Sequence, residues 1–185
     1  MAEQSKRDIV YFDLETQRTI TDVGGNRHFD KLGMSVGVTY STAAGEYRIY
    51  RESDADALVE QLTRADLVVG FNHIGFDYAA LQAYTILDLA QATLNLDMQR
   101  DIEKRIDARL SLDSIAKSTL GLGKTAEGLQ AITWYREGKF REIAEYCAFD
   151  VKVTMRVHEF GVKHGFVRYL DKNTQAEREV EVDWA

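Results

Sequence analysis

The run Ile9-Val10-Tyr11-Phe12-Asp13-Leu14-Glu15-Thr16 constrains this chain most, because it is apolar and β-branched yet carries two acids. Such a run reads as a central strand. In a strand, residues i and i+2 share a face, so Asp13 and Glu15 point the same way and repel one another. An edge strand with its acids in water would relieve that repulsion, but Tyr11, Phe12 and Leu14 argue for burial of both faces. Buried carboxylates at this spacing need a compensating cation, which favours a metal site.

The rest of the chain supplies the frame for such a strand. A polar stretch from Gln17 to Lys31, containing Gly24-Gly25-Asn26, reads as a long loop. The runs 34–40 and 46–50 flank Ala43-Ala44-Gly45 and form a hairpin signal, so the first three strands make an antiparallel meander. Ser53 and Asp54 can cap a helix bearing Leu58, Leu62 and Ala65, which leads into the apolar strand 67–71. That succession is a crossover. A short helix is expected over 77–84, and 93–98 fits a strand or a helix. Met98, Ile102 and Ile106 mark an amphipathic helix, and another runs from Ser111 to Thr119 and stops near Gly121. The longest helical pattern spans 141–163 and ends near Gly165. Phe166 to Leu170, followed by Val180, Val182 and Trp184, reads as a terminal hairpin. The expected fold is therefore α/β, a mixed sheet with flanking helices, formed as one domain over residues 1–185.

Composition narrows the classes. The 185 residues are 45% hydrophobic and 29% charged, which argues against disorder or low complexity. A single cysteine, Cys147, allows no internal disulfide and no thiolate metal cluster, and points to a reducing, cytoplasmic setting. No stretch reaches the ~18 apolar residues of a membrane span, so no membrane anchoring is expected. The net charge of −7 would disfavour a nucleic-acid partner if the acids were spread evenly.

They are not spread evenly. Asp77 follows the strand 67–71 where a loop opens onto a helix, in the segment Asn72-His73-Ile74-Gly75-Phe76-Asp77. In open α/β sheets, the space beyond the C-terminal strand ends is where ligands gather. On the long helix, Tyr146 and Asp150 stand four residues apart and so share a face, beside the apolar Val153 and Val157. Singly, a helix cap or a marginal Asp would explain each; together, four acids from three elements lie against apolar residues. Hard carboxylate oxygens suit Mg²⁺ or Mn²⁺. Two such cations activate water and stabilise a leaving oxygen in phosphodiester hydrolysis.

Phe12-Asp13-Leu14-Glu15-Thr16, Asn72 through Asp77, and Tyr146-Cys147-Ala148-Phe149-Asp150 resemble, in order, the three motifs of the DEDD exonucleases of the ribonuclease H-like superfamily. The tyrosine four residues before the last Asp, with Glu145 where the histidine subtype has His, is similar to the tyrosine (DEDDy) subtype. The segments 112–116 and 120–124 and the terminal hairpin look most similar to YprB-like predicted exonuclease domains. The resemblance implies a ribonuclease H-like fold in which Asp13, Glu15, Asp77 and Asp150 hold two metal ions and Tyr146 orients the attacking water. It also implies 3′–5′ removal of nucleotides from the 3′ end of DNA or RNA. A free phenol, with a pKa of ~10, stays protonated at neutral pH, so Tyr146 is better suited to positioning than to strong base chemistry.

Substrate contacts are less legible. Asn72 either contacts substrate or fixes the loop before Asp77. Arg18, Arg27, His28 and Lys31, or the later group Lys117, Lys124, Arg136, Lys139 and Arg141, could border a backbone-binding groove, with Lys124 the chosen candidate. Phe76, Trp134 and Tyr135 could stack on bases or belong to the core. A P-loop reading of 118–125 fails because its first glycine would fall at Ser118 and no strand precedes it. The rival reading is a catalytically silent, exonuclease-like module that binds nucleic acid or protein.

Overall fold

A computed structural model describes residues 7–123, 128–171 and 174–185. Strand β1 (Ile9–Thr16) is the centre of a five-stranded sheet. Strands β2 (Met34–Ser41) and β3 (Glu46–Arg51) add to one side of it as an antiparallel meander. Helix α1 (Ala55–Arg64) then carries the chain across to β4 (Leu67–Gly70), which is parallel to β1, and β5 (Asn95–Asp97) is parallel to β4. The order is β3-β2-β1-β4-β5, the mixed sheet expected from the sequence. Among the described residues, no helix is long and apolar enough to cross a membrane.

Side-chain alternation divides the interior in two. Val10, Phe12 and Leu14 face α1 and α2 (Asp77–Leu81), packing with Leu58, Leu62 and Leu81. Tyr11 faces the opposite layer, built from α4 (Met98–Ile106), α5 (Leu112–Leu120) and the long α7 (Phe140–His164). Asp13 and Glu15, two and four residues beyond Tyr11, lie on that second side. Tyr11 itself is tied to α7 through a hydrogen bond of 2.9 Å between its hydroxyl and His158 Nδ1.

The helix ends follow the sequence closely. Gly121 and Gly165 adopt left-handed φ of 69° and 75° and terminate α5 and α7, a conformation glycine reaches without steric cost. The terminal hairpin forms from β6 (Phe166–Leu170) and β7 (Glu177–Glu181), and buries Val180, Val182 and Trp184. A Cβ at Gly161 of α7 would collide with the Trp184 ring, so that glycine admits the chain's last aromatic.

Three details differ from expectation. The stretch 17–31 is not loop throughout, since Asn26–Lys31 is 3-10 helical and seats Phe29 edge-on against Phe76, 5.5 Å between centroids. The helix expected over 77–84 ends at Leu81. Two helices were not anticipated, the single turn α3 (Leu89–Ala92) and α6 (Gly128–Arg136). Helix α6 buries Ala131 and Ile132 and packs the half-buried Trp134 and Tyr135 against the same core.

Candidate active site

Strand β1 outruns its neighbour. Its pairing with β4 stops at Tyr11 opposite Val69, so Asp13 and Glu15 lie beyond the end of β4 with β2 alone alongside. The β1–β2 register shifts between Glu15 and Thr16, the kind of irregularity that re-aims side chains where pairing ends. On the same side, α7 brings up Asp150. One oxygen each from Asp13, Glu15 and Asp150 lie within 4.8 Å of one another.

These groups destabilise one another's charge. Asp13 is pushed well above the usual carboxylate range, first by burial and then by the negative charges of Asp77, Asp150 and Glu15. The Cys147 thiol donates weak hydrogen bonds to the Asp13 backbone oxygen and to Oδ2, both at 3.3 Å, which partly offsets this. Burial also holds the Tyr146 hydroxyl far above the ordinary phenol value, as do Asp150, Glu15 and Asp13, so it is protonated at any physiological pH. Its ring stands edge-on to Trp134, 6.3 Å between centroids, which makes Trp134 a packing partner of the site rather than a free stacking surface. Tyr135 packs likewise on Phe140.

Asp77 sits deeper than the other three acids and outside their close set. It is 4% exposed and accepts the backbone N–H of Leu14 at 3.0 Å. Burial raises its pKa to about 7, against the lowering effect of the hydrogen bonds it accepts. The loop that delivers it is shaped by Asn72, whose φ of 66° is left-handed and whose carbonyl accepts the N–H groups of Gly75 and Phe76. A Cβ at Gly75 would lie 2.7 Å from Asn72 Oδ1. Asn72 therefore fixes the loop, although it also lines the cleft.

Asp97 holds that loop from beneath. At the end of β5 its carboxylate accepts the N–H groups of Asn72 at 2.8 Å and Ile74 at 3.1 Å, while capping α4 through Arg100 N. In the sequence, Asp97 carries no signal beyond that of an acid before a helix, the signature of a cap. Nothing in the sequence marks the contact of Cys147 with Asp13.

Two cavities meet at the acids. A small one of about 160 Å³ lies between α5 and α7 and is bordered by Asp13, Tyr146 and Asp150. A larger one of about 800 Å³ runs along Asp13, Glu15, Asn72 and Asp77 to α6. Asp113, on the first turn of α5, borders both. Among the candidate cations, Arg18 lines the larger cavity and donates to Lys31 O at 2.7 Å. Arg136, Lys139 and Arg141 are engaged with Asp22, Glu137 and Glu145 at the surface. Lys124 lies outside the described residues.

The donor set fits a hard divalent cation. Glu15 and Asp150 raise the proton affinity of Asp13, and a divalent cation among the three would reverse the sign of the local field.

Comparison with known proteins agrees with this architecture. A family model of the RNase H superfamily matches residues 10–162. Among solved structures, a family B DNA polymerase from the hyperthermophilic archaeon Pyrobaculum calidifontis is similar in fold, with a TM-score of 0.63 at 14% sequence identity. That likeness covers 85% of this chain and 25% of the polymerase chain, so the chain spans about a quarter of that protein's length. No curated protein matches the sequence.

Proposed function

Because the chain belongs to the RNase H superfamily, we propose that it is a metal-dependent nuclease, a 3′–5′ exonuclease acting on DNA or RNA. The observation that carries the reading is the convergence of Asp13, Glu15 and Asp150 within 4.8 Å at the end of the central strand. Asp77 lies behind Asp13 and adds to the same negative field. Four carboxylates and a protonated tyrosine, divided between two adjoining cavities that share Asp13, support the site set of the tyrosine-type exonucleases, the YprB-like domains among them. The whole chain acts as a single domain in the cytoplasm, with nucleic acid as its partner.

Mg²⁺ or Mn²⁺, as two ions held by Asp13, Glu15, Asp77 and Asp150, would lower the pKa of water and neutralise charge developing on the phosphate. The protein's own contribution is placement. Tyr146 cannot serve as a base while its proton is held this firmly, so its hydroxyl positions the attacking water by hydrogen bonding. Arg18 lines the cleft where a strand would run and meets its phosphates; Lys124, outside the described residues, is the second cation assigned to them. Asn72 keeps Asp77 in place and borders the substrate.

The test is direct. Purified protein incubated with single-stranded DNA and RNA should release mononucleotides in Mg²⁺ or Mn²⁺, and none in EDTA or with Asp150→Asn. Failure to release product from any substrate in either metal would instead assign the chain to the catalytically silent binding modules.

A further inference from the structure

Most basic side chains around the cleft are engaged by the protein itself. Arg18 donates to Lys31 O, and Arg136, Lys139 and Arg141 pair with acids at the surface. Arg100, on the first turn of α4, is different. Its backbone N–H bonds the Asp97 cap, but its guanidinium makes no hydrogen bond among the described residues. Asp97 Oδ2 lies 3.8 Å from Arg100 Nε, beyond hydrogen-bond distance. The two Asp97 oxygens already accept the N–H groups of Asn72 and Ile74. Asp97 is buried beneath the arginine, while 48% of the Arg100 side chain stays in solvent with its donors available.

A glycine lets that guanidinium face the cleft. The point a Cβ would occupy at Gly75 lies 2.7 Å from Asn72 Oδ1 and 3.4 Å from Arg100 Nη2, so the two side chains converge on space that the missing Cβ leaves open. The Asn72 amide also makes no side-chain hydrogen bond among the described residues, and it lines the larger cavity. A planar guanidinium with free donors, beside an amide, suits the oxygens of a phosphate. Sheet order separates this point from the metal site. Asp13 and Glu15 stand on β1, Asn72 follows β4 and Arg100 follows β5, so the Arg100 backbone is two strand spacings, roughly 10 Å, from the strand of the acids. The guanidinium reaches the loop after β4 and pairs with none of the four acids. From this convergence we propose that Arg100, with the Asn72 amide, holds a backbone phosphate of the nucleic-acid strand other than the scissile one. The inference rests on the nuclease reading for its substrate and adds the path of the strand, from Arg18 across the open ends of β1 and β4 to β5.

The experiment measures binding and hydrolysis separately. Fluorescence anisotropy of a labelled single-stranded oligothymidylate in Ca²⁺ gives the affinity over a range of KCl concentrations, and single-turnover hydrolysis of the same strand is followed in Mg²⁺. Each phosphate contact on a single strand contributes about 0.7 to the slope of log affinity against log salt. Arg100→Gln should reduce that slope by about 0.7 and weaken binding about tenfold, the scale of one hydrogen bond to a charged group. Arg100→Lys should keep the slope and lose part of the affinity, because it retains the charge without the planar fork. Both variants keep the backbone N–H of residue 100 that bonds Asp97, so their melting temperatures should stay close to wild type. An unchanged slope in Arg100→Gln, or an equal loss of slope in both variants, overturns the phosphate site, and hydrolysis by the wild-type chain then leaves the nuclease reading standing. A slope lowered in Arg100→Gln and kept in Arg100→Lys, with no hydrolysis by the wild-type chain, supports the site and overturns hydrolysis. A wild-type chain that neither binds nor cleaves the strand overturns both.

Discussion

The Asp77 carboxylate and the Leu14 backbone N–H are joined at 3.0 Å, which fastens the start of α2 to the strand that carries Asp13 and Glu15. Asp77 thus has a structural duty beside its proposed one, and two substitutions separate them. Asp77→Asn keeps a carbonyl acceptor for Leu14; Asp77→Ala leaves a buried N–H unpaired, at a cost of ~1–3 kcal/mol. At pH 5.5, below the raised pKa of about 7, little charge repulsion is relieved by either change. Differential scanning calorimetry at that pH in EDTA should then show a melting temperature for Asp77→Ala several degrees lower, at roughly 2–4 °C per kcal/mol, and one near wild type for Asp77→Asn. Both variants should lose metal-dependent activity.

The same burial sets a pH dependence. Asp77 has its pKa raised from an ordinary carboxylate value to about 7, and Asp13 is raised well above that ordinary range. The folded chain therefore binds protons that the unfolded chain has released, and stability falls as pH rises from about 4 through about 7. The loss for Asp77 is on the order of a few kcal/mol. Urea denaturation in EDTA should give a lower midpoint at pH 8 than at pH 5. Asp13→Asn should flatten this slope and raise the midpoint at pH 8. An unchanged slope would mean that the acids are not charged against one another.

Much of this site was legible because its anomalies are local. Two acids at i and i+2 in an apolar strand, or a Tyr and an Asp one turn apart on a helix, announce a shared face before any tertiary structure is known. What could not be read is contact between elements. That Asp97 grips the loop of Asn72 depends on β5 lying beside β4, a three-residue pairing that the ambiguous pattern of 93–98 does not specify. That Cys147 touches Asp13 depends on how α7 is rotated over β1. Helix α6 carries a helical stripe in Ala131, Ile132, Trp134 and Tyr135, but its 9 residues hold little more than two turns of it, too short a pattern to stand out.

Tyr146 offers a test of positioning. Tyr146→Phe keeps the ring beside Trp134 and removes only the hydroxyl. The fold should be unaffected, with a melting temperature within about 2 °C of wild type. The turnover rate should fall roughly 10–100-fold, the usual cost of losing a group that orients metal-site chemistry. Metal affinity, measured by titration in the absence of substrate, should not change. The pH–rate profile of the wild type should show no ionisation attributable to a phenol between pH 6 and 9, because the hydroxyl stays protonated throughout.

Asp97 provides the last prediction, since it is not among the proposed metal ligands and yet shapes the loop that delivers one of them. Its carboxylate receives the Asn72 and Ile74 N–H groups, and the left-handed backbone at Asn72 is held by the first of these. Asp97→Ala removes both acceptors and the cap on α4, so a loss of ~1–3 kcal/mol is expected together with weaker metal binding through a displaced Asp77. Asp97→Asn retains one oxygen. It should restore most of the stability but only part of the activity, because a single neutral acceptor cannot hold both N–H groups as firmly as a carboxylate. Amide hydrogen exchange over residues 72–77 gives the decisive reading: protection should fall in Asp97→Ala and not in Asp150→Asn, which leaves the loop's anchor intact. If exchange in that segment is the same in all three proteins, the loop is held by Asn72 alone.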